Sequence, residues 1–148
     1  MSVVRYALAL ACLAAPAAAQ WRYDPGPMPA GRAIGPGTAG YSLVVECGNG
    51  GYPAVLLEGY TPPQGMEPAF VASVDDRPEH LLFTTQCNAS VCMMDFDSLD
   101  AVFGLLAELR AGQVLDLGLY RGGPLTEVPL GGSSAAIGQL SGRGCEIS

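Results

Sequence analysis

The 148-residue chain sets 14 acidic side chains against seven arginines and contains no lysine, giving a formal charge of −7. This balance excludes nucleic acid and anionic lipid as electrostatic partners, because both are held by clustered Lys or Arg. Richness in Ala, Gly, Pro and Arg without Lys points to a GC-rich bacterial genome.

The chain opens with "MSVVRYALALACLAAPAAAQ": one cation at Arg5, an apolar run from Tyr6 to Ala15, then small residues ending in Ala17, Ala18 and Ala19. That order is a secretory signal with cleavage after Ala19. A retained anchor is disfavoured, since a span takes roughly 20 apolar residues and this run is shorter and broken by Pro16. A lipid anchor on Cys12 is disfavoured because the small residues after it continue the apolar stretch. The expected mature chain starts at Gln20, in the periplasm or the medium, and nothing after it is long and apolar enough to span a bilayer. Removal of 19 residues leaves 129, the size of one domain. Loss of Arg5 takes the charge from −7 to −8.

Residues 20–40 hold four prolines and five glycines without periodicity. They read as an N-terminal arm lying on the domain through Trp21 and Tyr23. A single β-rich domain is expected over 41–148. "YSLVVEC", "YPAVLLEGY" and "AFVASV" are short Val-, Leu- and aromatic-rich runs separated by "GNGG" and "TPPQGMEP", a β-meander pattern in which Asn49 and Gly50 fit a tight turn. "HLLFTTQ" and "CMMDF" extend it.

The period then changes. Leu99, Val102, Phe103, Leu106 and Leu109 recur at three and four, predicting a helix from about Ser98 to Ala111. Asp97 is the expected N-cap with Asp100 three positions on, Arg110 complements the dipole, and Gly112 supplies a left-handed stop. "QVLDLGLY" alternates Leu115, Leu117 and Leu119 with Asp116 and Gly118, a half-exposed strand that "RGG" turns into "PLTEVPL". "GGSSAAIGQL" offers Ser133 or Ser134 as a cap and Ala136, Ile137 and Leu140 as a short helical stripe. The sum is mainly β: an antiparallel β-sandwich or rolled sheet with one amphipathic helix and one short C-terminal helix.

Beyond the leader stand four cysteines, Cys47, Cys87, Cys92 and Cys145. An even count in an exported chain reads as two disulfides, with three pairings possible. Cys87 with Cys92 is favoured, because Asn88 and Ser90 turn the chain between two strands; Cys47 and Cys145 are then left for each other. Structural zinc prefers two close pairs, whereas Cys47 and Cys145 stand alone, and a thioredoxin-type site needs C-x-x-C, which is absent.

Other candidates have plainer readings. Asp95, Asp97 and Asp100 evoke a calcium loop but lack its central Gly and distal Glu, so helix capping accounts for them. "GGSSAAIG" fails as a nucleophile elbow because Ala136 stands where G-x-S-x-G needs Gly. His80, the only histidine, has no visible orienting partner and reads as structural. The amides of Gly132 to Ser134 offer an anion site at a helix start, with a plain cap preferred. Asp75 and Asp76 read as a turn. Asn88 begins a glycosylation sequon, taken as coincidence in a bacterial chain. No catalytic, cofactor-binding or metal-binding residue is assigned, and no cofactor is expected.

From "FTTQCNASVCMMDF" to "VPLGGSSAAIGQL" the chain resembles the C-terminal half of the invasion associated locus B family of exported proteobacterial proteins. The shared order is an aromatic strand ending in Cys, a short loop to a second Cys, a helix ending in a basic residue, Ala and Gly, a strand, then "VPL-G" and a small-residue helix. The resemblance spans about 60 residues; the first half departs from it, with Cys47 far from Trp21. It implies an exported, disulfide-bonded β-domain, linked in some pathogens to host-cell invasion and without established catalysis. The ending is also similar to that of type VI secretion accessory proteins. The function expected is therefore a non-enzymatic β-domain acting through contacts with an unknown protein partner in the envelope or at a host surface. The alternative is a module binding a small apolar ligand between helix and sheet, lined by Met93, Met94 and Phe103.

Overall fold

The computed structural model describes residues 20–48 and 50–148; the leader-like residues 1–19 and the turn residue Asn49 lie outside the described residues. Among the described residues, nine strands and two helices follow in order: β1 Arg22–Asp24, β2 Arg32–Pro36, β3 Ser42–Cys47, β4 Pro53–Glu58, β5 Ala69–Val74, β6 His80–Asn88, β7 Val91–Asp95, α1 Leu99–Ala111, β8 Val114–Leu119, β9 Gly123–Pro129 and α2 Ser133–Ser141.

All strands pair antiparallel in one sheet of order β1-β2-β3-β4-β7-β6-β5-β8-β9. The sequence predicts a plain meander; the structure instead carries the 59–68 link past two strand positions, so that β5, β6 and β7 form a hairpin-connected trio with β7 beside β4. This is a Greek-key arrangement, and the proline-rich link is long enough to make the crossing. The sheet rolls without closing. Its ends are stitched by the Trp21 N–H donating to the Gly131 carbonyl (3.0 Å), the Trp21 indole N–H to Pro129 (3.0 Å) and the Thr38 N–H to Glu127 (2.8 Å).

Those bonds explain why residues 20–40, predicted as an arm, supply β1 and β2. Gly35 has no side chain, and a Cβ there would collide with the Trp21 ring, so the indole lies buried against β2. Burying one indole removes enough apolar area from water, worth about 2 to 3 kcal/mol, to hold a proline-rich segment in place.

Both helices pack on the inner face. Val102, Leu105, Leu106 and Leu109 of α1 meet Ala136, Ile137 and Leu140 of α2, together with Leu57, Phe70, Leu82 and Leu117 of the sheet. The stripe of α1 is rotated from the predicted one. Leu105 is buried, whereas Leu99 is 46% exposed. The predicted caps are also corrected. Ser98, not Asp97, is the N-cap of α1, with extended backbone and a hydroxyl accepting from the Ala101 N–H at 3.2 Å. Gly112 closes the helix in an extended, not left-handed, conformation (φ −86°). Its need is space: a Cβ would collide with Val74 and come within 3.0 Å of the Glu108 carbonyl. Gly132, not a serine, is the N-cap of α2, at φ 81°.

Cys87 and Cys92 face each other across the β6–β7 hairpin and are bridged, Cα to Cα 4.0 Å. A second bridge joins Cys47, the last residue of β3, to Cys145 beyond α2, at 5.7 Å.

Candidate interaction face

Successive strand residues point to opposite faces, so a run of three apolar residues makes both faces apolar. Four strands have such a run at their centre: Leu43-Val44-Val45, Val55-Leu56-Leu57, Leu81-Leu82-Phe83 and, with Met94 inward and Met93 outward, β7. Their middle or flanking members therefore populate the outer surface of the roll.

On the β2–β3–β4 half, Ile34, Val44 and Leu56 align in one cross-strand row, continued on β7 by Met93. Ile34, Val44 and Leu56 are covered, whereas Met93 at the end of the row is 38% exposed. Arg32 pairs with Glu46, its ladder partner, at 3.1 Å and also with Glu58, which lies one row beyond Val44. Its side chain thus crosses diagonally over the row, and Val44 is 0% exposed on an outward face. Partial burial opposes the charge, but the hydrogen bond and charge of Glu58, then those of Glu46, hold the guanidinium above its ordinary pKa. Arginine's apolar stem makes it suited to roofing a hydrophobic row while its head stays paired.

On the β6–β5–β8–β9 half the outward apolar side chains lie chiefly on β6 and β5, and among the described residues no ion-paired arginine crosses them. Phe83 pairs with Ala69, and Leu81 with Val71, whose row continues through Gly118 to Pro124. Leu81 is 39% and Phe83 47% exposed. Tyr120, also exposed, donates its N–H to Ala69 and carries the Arg121 guanidinium over its ring at 5.1 Å. One step along the strands lies a polar row in which Ser73 faces Asp116 and Asp116 faces Glu127. Between and over these rows runs an open groove of about 580 Å³, lined by Val71, Glu79, Asp116, Pro124 and Glu127 among others.

The residues singled out in the sequence are scattered elsewhere. His80 Nε2 contacts Glu108 Oε2 at 2.9 Å, joining β6 to α1. Ser133 is buried, its hydroxyl donating to the Leu109 carbonyl, and Ser134 is exposed. The Ser133 N–H already donates to Leu130, so the α2 start does not present the open set of amides an anion site needs. Asp75 and Asp76 both take left-handed backbone in the β5–β6 turn, and the Asp75 carboxylate accepts from the Gln113 and Val114 N–H groups at 2.9 to 3.0 Å. Asp95 Oδ1 accepts from the Phe96 N–H. Among the described residues, no three His, Cys, Asp or Glu side chains are placed to hold a metal ion.

Met93 and Met94 sit on opposite faces of β7 and both line a cleft of about 320 Å³ with Leu99 and Val102 at the start of α1; Phe103 does not line it. The exposed Leu81 and Phe83 are the residues that pattern reading missed. Their signal is the unbroken "LLF", which no half-exposed strand should contain.

No family model and no curated protein matches the chain. Among solved structures, the chain is similar to the crystal structure of invasion associated protein B from Bartonella henselae. Identity is 23%, the match covers 69% of this chain and 73% of that one, and the TM-score is 0.47. Among the described residues, no helix is long and apolar enough to cross a membrane.

Proposed function

We propose that this chain is an exported, non-enzymatic β-domain that works by protein contact, through the outer face of β6, β5 and β8, in the bacterial envelope or at a host surface. The observation that carries this reading is the contrast within one sheet. Arg32 roofs Ile34, Val44 and Leu56, whereas Leu81 and Phe83 face water side by side. Contiguous exposed apolar side chains on a soluble domain mark a surface used for contact. Export is supported by two disulfides, which persist in oxidising compartments, and by the leader-like composition of residues 1–19.

The experiment is site-specific photo-cross-linking in the native envelope. A photoreactive side chain replacing Phe83 is expected to yield a discrete protein adduct that the same side chain at Gln139, exposed on α2, does not. Equal adducts from both positions, or none from position 83, overturn the reading. A small apolar ligand is the second reading, favoured by the cleft at Met93, Met94 and Leu99. Its two polar side chains, Asp95 and Ser98, already accept from local backbone N–H groups, leaving little to orient a ligand.

A further inference from the structure

Two rows lie next to each other across the open half of the sheet. One is apolar: Leu81, Val71, Gly118 and Pro124. The other is acidic: Glu79, which directly precedes β6, then Ser73, Asp116 and Glu127. Gly118 is the low point of the apolar row, where a Cβ would come within 2.9 Å of the Gly123 carbonyl. The groove of about 580 Å³ is lined by the acidic row and by Val71, Gly118 and Pro124 of the apolar row; Leu81, the ladder partner of Val71, lies beside it and does not line it.

We propose that this groove receives a cationic, apolar segment of a partner protein, with Arg or Lys side chains over Asp116 and Glu127 and aliphatic side chains against Val71 and, beside the groove, the exposed Leu81. The proposal rests on the contact-face reading above and adds the chemistry of the partner. Charge complementarity carries it. Asp116 and Glu127 are ladder partners of like sign, and among the described residues none of the ion pairs includes them or Glu79. Three of the six arginines among the described residues are engaged elsewhere: Arg32 with Glu46 and Glu58, Arg121 over Tyr120, Arg143 over Tyr23; Arg77, whose carbonyl accepts from the Ser73 hydroxyl, is the cation nearest the row in sequence, and none of the ion pairs includes it. Directly opposed carboxylates repel, and one guanidinium reaching both turns that repulsion into a charge-assisted pair. A second copy of this chain would bring acid against acid, and an anionic bilayer repels the same row, so neither fits as well as a basic protein segment. Three inter-strand spacings of roughly 4.8 Å make the acidic row about 14 Å long, the reach of about four extended residues or ten helical ones.

The test uses the full, disulfide-intact chain and labelled 14-residue peptides that alternate Leu with Arg, Ser or Glu, read by fluorescence anisotropy. The Arg–Leu peptide is expected to bind best, with an affinity that falls by about tenfold or more as salt rises from dilute buffer to several times physiological strength. D116N/E127Q is expected to weaken it by about tenfold and flatten the salt dependence, whereas D97N/D100N, an equal charge change at the start of α1, leaves it within about twofold. L81S is expected to weaken binding at every salt concentration.

If D97N/D100N costs as much as D116N/E127Q, only bulk charge is at work and the proposal fails. If the Ser–Leu or Glu–Leu peptide binds as tightly and still depends on Leu81, the contact face stands and its cationic partner does not. If L81S and D116N/E127Q both leave binding unchanged, the face itself is wrong. Leu81-dependent dimerisation by sedimentation, or Leu81-dependent flotation with phosphatidylglycerol vesicles, replaces the partner by a second copy or a membrane.

Discussion

The Ser133 hydroxyl donates to the Leu109 carbonyl oxygen at 2.6 Å, inside the core. Leu109 is in the last turn of α1, whose final carbonyls have no partner within the helix, and Ser133 is the first residue of α2. One bond therefore satisfies an orphan acceptor and fixes how the two helices dock. Ser133→Ala leaves that carbonyl buried and unpaired, so a loss of about 1 to 3 kcal/mol is expected by denaturant titration. Ser134→Ala, one position on and exposed, is expected to cost under about 0.5 kcal/mol. Equal effects would show that the hydroxyl is not bonded as described.

Arg32 acts as a lid on a small outer core. Arg32→Ala removes its stem from above Val44 and leaves Glu46 and Glu58, on either side of that row, without their shared cation. Its head is partly exposed, so the ion pairs themselves are discounted for solvent screening and most of the expected loss, about 1 to 2 kcal/mol, is lost packing. The same variant is expected to bind a hydrophobic dye that the parent chain binds less. A stable Arg32→Ala chain with unchanged dye binding would mean that Val44 is sheltered by something else.

The two bridges act on different lengths of chain. Cys47 and Cys145 are 98 residues apart, Cys87 and Cys92 only five. In the chain-entropy account the long loop contributes about 4 to 5 kcal/mol and the short one about 2. The double variant Cys47→Ser with Cys145→Ser is accordingly expected to lower Tm more than Cys87→Ser with Cys92→Ser. Non-reducing peptide mapping of the parent chain checks the pairing directly. The short bridge lies on a hairpin already held by β6–β7 pairing, which is a second reason for its smaller effect.

Much of this fold is legible in local pattern. The strands from Ser42 onward, the α1 and α2 segments and the β-rich class all follow from periodicity and turn residues, because each needs only near neighbours in sequence. What depends on distant partners is not legible. The strands within residues 20–40 exist because Trp21 reaches Gly131 and Pro129, more than a hundred positions away. The strand order depends on where the 59–68 link lands, and the Gly112 conformation on the nearness of Val74 and Asp75. The candidate face falls between these cases. "LLF" at Leu81–Phe83 marks two apolar strand faces, but "LVV" at Leu43–Val45 does the same and is roofed, and only the tertiary position of Arg32 separates the two.

The acidic row carries a stability consequence of its own, separate from any partner. Asp116 and Glu127 sit opposite each other on β8 and β9, both exposed, with a neighbour of the same sign at Glu79. Opposed like charges destabilise a cross-strand pair by about 0.2 to 1 kcal/mol relative to a neutral pair, and screening by salt reduces the penalty. Asp116→Asn keeps the shape and removes one charge, so the free chain is expected to gain a few tenths of a kcal/mol and a Tm rise of about 1 to 3 °C in dilute buffer. The gain should shrink as salt is added, because the parent chain then recovers by screening what the variant gained by substitution. Glu127→Gln is expected to behave alike, and the double variant to gain less than the sum, since either change alone removes the repulsion between the two. A parent chain more stable than both single variants at low salt would mean that a cation on the chain itself already satisfies the row, and the groove would lose the charge asymmetry on which its proposed partner depends.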